Sequence, residues 1–146
     1  MAIKASTGLR SKLLDTGSLK SVLALGFIKF YSGSPPATAD AAVTGTLLVT
    51  ISNASSGTGI NMAAAAVAGV LDKLSSETWS GVNAASGTAG YYRHVAVGDD
   101  GTLSTTQARI QGTIATAGAD MNLSSTSLTA GATQTVDFYS VALPTA

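Results

Sequence analysis

The sequence predicts a mainly β fold, a single antiparallel β-sandwich of jelly-roll-like type with a short N-terminal helix. Ala, Ser, Thr and Gly make up more than half of the 146 residues, and only 11% are charged. Short runs of β-branched and aromatic residues alternate with glycine-rich turns, as in antiparallel sandwiches. The hydrophobic fraction of 45% is too high for a disordered chain, while the many small residues suit a thin core between sheets.

The helix is predicted near the N-terminus. Leucines recur at helical spacing over Leu9–Asp15, and Ser6 or Thr7 is a suitable N-cap residue for this segment. Gly17 breaks or ends the helix, and Ser18–Leu25 forms a second short turn. We expect this to be the one amphipathic helix of the chain.

The first two strands enclose a proline-containing connection. Phe27–Tyr31 is rich in aromatic and β-branched residues, and Thr46–Ile51 has the same character. Between them, Pro35 and Pro36 stop the first strand, because proline cannot donate to a sheet ladder and fixes its own φ. The sequence therefore predicts strand, stiffened corner, strand.

The remaining strands are short and separated by glycine turns. Ala63–Ala66 has helical propensity, but neighbouring Gly69 and other small residues favour a flat strand instead. Gly98 and Gly101 enclose a turn, and Gly131 lies in another. Further strands are predicted at Asn61–Val67, around Trp79, and at Tyr91–Val97, Ala108–Thr116, Met121–Leu123 and Thr133–Leu143.

The length predicts one domain, residues 1–146, with a basic helical segment at 1–25 and the sandwich at 26–146. Basic and acidic residues balance at eight each, yet the first 30 residues contain five cations and one anion. This asymmetry suits packing between subunits or docking on an acidic shell, and a solvated helix face is the alternative. The cations are too dispersed for a typical nucleic-acid surface, so no direct nucleic-acid role is expected.

Composition excludes several classes of protein. The chain has no cysteine, which rules out disulfide frameworks, zinc ribbons and thiol catalysis. The N-terminal stretch MAIKASTGLRSKLL has no apolar region followed by a cleavage site, so no secretory signal is expected. The longest apolar runs, such as Met62–Val70, are too short for a membrane-spanning helix. No membrane partner is expected.

Few residues are suited to catalysis or metal binding. His94 is the one histidine, and no nucleophile elbow accompanies it, so a packing or hydrogen-bonding role is favoured. Asp99 and Asp100 are too few ligands for calcium, and a hairpin tip explains them better. We therefore expect no enzyme activity, no metal and no cofactor. Five aromatic residues suit a carbohydrate groove, although most are expected in the core: Trp79, Tyr91, Tyr92, Phe138 and Tyr139.

Several segments carry a resemblance to a known family. Besides the N-terminal helix, they are FYSGSPPATADAA at Phe30–Ala42, Gly45–Leu48, Thr88–Arg93, Gln111–Ile114, Gly118–Leu123, Ser127–Gly131 and Val136–Val141. In this combination the chain resembles small structural proteins of tailed bacteriophages and prophages. The resemblance covers nearly the full length and brings no catalytic residues with it.

The resemblance implies a virion protein, assembled in the bacterial cytoplasm and located on the capsid surface. Related subunits act as cement or decoration proteins that bridge neighbouring major capsid proteins, so the expected partners are the major capsid protein and further copies of this chain. A tail or connector protein and a virion-surface carbohydrate-binding module are the alternatives, and an enzyme is the weakest. Candidate interface residues are Lys4, Arg10, Lys12, Lys20, Pro35 and Pro36. The two prolines pre-set an exposed docking corner, or merely end a strand.

Overall fold

A computed structural model of the chain describes residues 3–143. In this range the chain forms two short helices and eleven strands. The helices are α1 (Thr7–Asp15) and α2 (Leu19–Val22). The strands are β1 (Lys4–Ala5), β2 (Phe27–Ser32), β3 (Leu47–Asn53), β4 (Val70–Asp72), β5 (Trp79–Val82), β6 (Gly87–Val95), β7 (Arg109–Ala115), β8 (Met121–Asn122), β9 (Ser127–Leu128), β10 (Thr133–Thr135) and β11 (Ser140–Ala142).

The strands form one large sheet and one small sheet. The large sheet has the order β1-β7-β6-β2-β3-β5-β10, with β8 added beside β7 and β9 beside β6. Its neighbours are antiparallel except for β7 and β8, which are parallel. The small sheet is the antiparallel pair β11-β4. The predicted mainly β, sandwich-like architecture with a short N-terminal helix is confirmed.

The core is centred on β2, which pairs with β3 on one side and β6 on the other. Phe30 lies opposite Val49 of β3 and Tyr92 of β6, and all three are fully or almost fully buried. Both β2 pairings shift register near Tyr31, which bends the strand before it enters the proline-containing connection.

Helix α1 begins where the sequence predicts. The Ser6 hydroxyl accepts a hydrogen bond from the Leu9 amide at 3.1 Å, which satisfies one unpaired donor of the first turn. Only this end of the helix is buried: Leu9 is 2% exposed, but Leu14 is 89% exposed. The apolar face predicted for this helix is therefore limited to its first turn. No helix in residues 3–143 is long and apolar enough to cross a bilayer.

The strand predicted at Asn61–Val67 is absent from the structure. Only isolated pairings occur there, such as Met62 with Lys73. Ala68 and Gly69 both have positive φ, at 51° and 78°, and they bring Val67 back to pair with Val70. Two central residues of this kind form a tight reversal. The reversal ends the segment and starts β4 directly after it.

The final strand predicted at Thr133–Leu143 is split into β10 and β11. Thr133–Thr135 pairs with β5 in the large sheet, whereas Ser140–Ala142 pairs with β4 in the small sheet. The intervening residues carry the chain from one sheet to the other, and Val136 and Tyr139 pack against the core on the way. A continuous run of residues that favour β-structure does not reveal where the chain stops pairing with β5 and begins pairing with β4.

Candidate functional site: the proline loop and its anchors

The connection between β2 and β3, residues 33–46, is named here the proline loop. Pro35 and Pro36 are half-buried in it rather than fully exposed. Gly45 has a φ of 75°, and a Cβ at this position would lie 2.0 Å from the Ser32 carbonyl oxygen, so only glycine fits where the loop re-enters the sheet. The loop returns close to its own start and lies over the large sheet.

Arg109 of β7 anchors the middle of the loop from below. It is fully buried, and its Nη1 donates to the carbonyl oxygens of Ala39 and Asp40, each at 3.2 Å. Its charge is neutralised by Asp99, which accepts from Nε at 2.5 Å and from Nη2 at 2.9 Å. Asp99 is therefore a buried ion-pair partner, and its prediction as a simple hairpin-tip residue misses this role. Gly98 and Gly101 do form the predicted turn, with φ of 86° and 81°.

A second buried arginine anchors the two ends of the same segment. Arg93 of β6 lies opposite Gln111 of β7 and donates through Nε to its Oε1 at 2.9 Å. Arg93 also donates to the Ala41 carbonyl oxygen, and Gln111 donates to the Pro36 carbonyl oxygen, both at 2.8 Å. Burial, followed by the charge of Arg109, lowers the pKa of Arg93. The bonds of Nε and Nη2 offset part of this desolvation, while Nη1 is buried without a hydrogen-bond partner among the described residues.

Tyrosines fix the C-terminal part of the proline loop. The Tyr91 hydroxyl donates to the Thr44 carbonyl oxygen at 2.6 Å and accepts from the Thr44 amide at 2.9 Å. The Tyr91 ring stacks on Tyr31 with centroids 5.1 Å apart. Burial raises the pKa of Tyr31 to about 12, so the phenol stays neutral at physiological pH. The loop is held along its length by side chains of the neighbouring strands β6 and β7.

The N-terminal segment contacts the same loop. Lys4 Nζ donates to the Ala37 carbonyl oxygen at 2.7 Å. Asp40 accepts from the amide and hydroxyl of Thr7, at 2.7 and 2.6 Å, at the start of α1. These bonds, the Thr7 hydroxyl first, together with Arg10 lower the pKa of Asp40. Arg10 itself donates to the Thr7 hydroxyl at 3.0 Å.

The six predicted interface residues fall into two groups. Lys4 and Arg10 lie near the proline loop together with the two prolines. Lys20 lies elsewhere, on α2, where it donates to the Ala64 carbonyl oxygen at 2.7 Å. Lys12 is half-buried on α1 and takes part in no contact that links it to either group. Within residues 3–143, four of the six residues are therefore brought together.

The aromatic residues considered for a carbohydrate groove are mostly internal. Trp79, Tyr91 and Tyr92 are each no more than 1% exposed, as expected for core residues, whereas Phe138 is 93% exposed. Tyr139 covers His94, with its hydroxyl 3.1 Å from Nδ1. His94 is buried, and this burial lowers its pKa to about 4, so it packs as a neutral ring. In the part of the chain described, no three His, Cys, Asp or Glu side chains are grouped so that they could hold a metal ion.

Sequence reasoning missed the buried anchors Arg93, Arg109, Gln111 and Asp99. The sequence does contain a signal for these anchors, because long polar side chains interrupt the otherwise apolar strands β6 and β7. Arg109 and Gln111 are two residues apart and share one face of β7, and the register places Arg93 beside Gln111 on β6. Three long donors on one sheet face indicate a polar layer that has to be covered by something rich in acceptors. Here that cover is the proline loop.

Comparisons with protein-family models, curated proteins and solved structures find no match to this chain.

Proposed function

We propose that this chain is a virion structural protein, a capsid cement or decoration subunit that binds neighbouring major capsid proteins and stabilises a phage head. In this proposal the proline loop, with Lys4 and Arg10 beside it, forms the docking surface. The subunit acts through surface fit and performs no chemistry. The resemblance to phage structural proteins supports the major capsid protein as the partner. The way the proline loop is held supports this loop as the surface that contacts the partner.

The observation that carries the proposal is the way the proline loop is held. Arg93, Arg109, Gln111 and Tyr91 hold the loop through buried side chains, and their partners are loop backbone groups. An irregular segment of fourteen residues is thereby ordered before any partner arrives. A pre-ordered loop loses less conformational entropy on docking than a mobile one. This is the property that a passive binding surface needs.

Surface chemistry supports the same proposal. Two arginines and one aspartate of a weakly charged chain are internal, which leaves a thinly charged exterior. Large apolar side chains lie on that exterior, among them Leu14, Val67 and Leu103, each more than 70% exposed. Surfaces of this composition suit a protein that is covered by neighbours in its working state.

The test measures binding to shells. Purified protein is added to heads that lack it, and bound protein is quantified after sedimentation. Replacing Pro35 and Pro36 by glycine is expected to weaken binding while the isolated fold melts normally. A matched control is Val82→Ala, a change at an exposed residue of β5 outside the loop. Unchanged binding of the Pro35→Gly/Pro36→Gly variant would remove the proline loop from the proposal, and absence of any binding by the wild-type chain would remove the proposal itself.

A further inference from the structure

A second surface, formed by residues other than the proline loop and its anchors, combines an apolar groove with a positive charge. The groove lies between α2 and the β4-β11 sheet and has a volume of about 460 Å³. Leu19, Leu71, Val141 and Leu143 form its larger apolar lining, and Ala64–Ala66 forms one wall. Lys20 stands at the groove, exposed, with one of its three donors used by the Ala64 carbonyl oxygen.

The same chain carries an exposed projection, formed by Asp137 and Phe138, that complements this groove. Phe138 is 93% exposed, the highest value among the large hydrophobic side chains described. Asp137 precedes it and is also exposed. The groove therefore offers apolar lining beside a cation, and the projection offers an apolar ring beside an anion.

The groove and the projection lie on opposite sides of β11. Along residues 138–143 the exposed positions Phe138 and Ser140 alternate with Tyr139 and Val141, which pack against the core. Val141 lines the groove, whereas the Phe138 side chain lies on the opposite face. Phe138 cannot turn back into the groove of its own chain without reversing this alternation. The ring that fits the groove has to come from another molecule.

We infer that this groove binds Phe138 of a second copy of the chain, with Asp137 of that copy paired to Lys20. A reciprocal exchange between two copies gives a closed dimer, and a one-way contact from copy to copy gives a ring or a filament. This inference goes beyond the proposed function, since it concerns contact between copies and requires no shell.

A charge exchange tests the contact in solution. Lys20→Glu and Asp137→Lys each place like charges together and are expected to shift the wild-type assembly to monomer in sedimentation equilibrium. The double variant, Lys20→Glu with Asp137→Lys, restores opposite charges and is expected to recover association. Both positions are exposed, so the fold tolerates the changes. Val97→Ala, a change at an exposed apolar residue away from the groove, is the matched control and should assemble as the wild type does.

Cross-linking provides a second, independent test, because the natural chain has no cysteine. Ser140→Cys and Ala65→Cys chains, which both keep Phe138, are expected to form a covalent pair of one chain of each kind when mixed under mild oxidation. A monomeric wild type at every concentration would overturn the inference. So would single charge variants that associate normally, a double variant that stays monomeric, or a mixture that yields only like-with-like pairs. Binding to shells enters none of these measurements, so failure here leaves the proposed function to its own test.

Discussion

Arg109 and Asp99 form an ion pair inside the protein, with Arg109 Nε 2.5 Å from Asp99 Oδ2 and both side chains almost completely inaccessible. Asp99 lies in the long connection between β6 and β7, Arg109 is the first residue of β7, and the arginine also holds the backbone of the proline loop. The buried Arg109 thus links the large sheet, the connection that contains Asp99, and the proline loop.

Breaking this pair on one side is expected to be costly. Arg109→Met leaves Asp99 charged and buried without its partner, and the expected loss in free energy of unfolding is about 3–5 kcal/mol. Asp99→Asn leaves the arginine unneutralised and should cost a similar amount. The double variant removes both charges and should lose clearly less than the sum of the two single losses. Urea denaturation measures all four proteins, and strictly additive losses would contradict a coupled buried pair.

The Tyr91 hydroxyl is expected to control order in the proline loop. Tyr91→Phe removes both hydrogen bonds to Thr44 and should cost about 1–3 kcal/mol of stability, because buried backbone groups lose their partner. Amide hydrogen exchange at Val43 and Thr44 should accelerate. Tyr31→Phe removes a hydroxyl from the other ring of the stack and serves as the matched control. Equal exchange in the two variants would show that the hydroxyl does not anchor the loop.

His94 is expected to make the protein less stable as acidity increases. Its pKa in the folded protein is about 4, below its ordinary value of 6.5, so the unfolded chain binds the proton more readily. The stability associated with neutral His94 is therefore fully present above pH 6.5 and is lost progressively as pH falls toward 4. The slope in this window should approach roughly 1.4 kcal/mol per pH unit.

Thermal or urea unfolding between these pH values checks the histidine prediction. His94→Gln should flatten the slope, whereas Tyr139→Phe, which keeps the burial responsible for the shift, should retain it. Hydrogen bonds lower the pKa of Asp40, so its contribution is lost only in more acidic solution and does not mask the histidine. A wild-type slope that survives in His94→Gln would assign the effect to other groups.

Gly8 is expected to be irreplaceable at the start of α1. A Cβ at this position would lie 2.4 Å from the backbone carbon and oxygen of Thr106, and backbone cannot move aside as a flexible side chain can. Gly8→Ala should therefore destabilise the protein by about 1–3 kcal/mol, despite the higher helix propensity of alanine. Ser11→Ala, at an exposed position of the same helix, is the control. A stabilised Gly8→Ala protein would refute this close packing.

Local signals in the sequence predicted much of the fold. Ser6 caps α1 because a hydroxyl at that position satisfies a helix amide, and the β-branched runs form β2, β3 and β7. What could not be predicted depends on tertiary partners. The last strand changes sheets after Thr135, and nothing in its local composition marks that exchange. The left-handed residue Ala68 turns the chain where alanine ordinarily favours a helix.

The candidate site was predicted only in outline. Pro35 and Pro36 indicated a stiff corner, but the rigidity of the loop also comes from Arg93 and Gln111, which lie far away in sequence. Burial of a charge depends on whether acceptors cover it, and the sequence does not show which loop will do so. The exposure of Phe138 could not be predicted either, because a phenylalanine is ordinarily expected in the core.

In the proposed function, the chain works as a structural subunit of a phage head through surface contact. Its most direct test is quantitative mass spectrometry of phage particles purified from cells that express the chain. If the chain is such a subunit, finished particles contain it in a fixed and high ratio to the major capsid protein. A chain that is abundant in the lysate but missing from purified particles would contradict it.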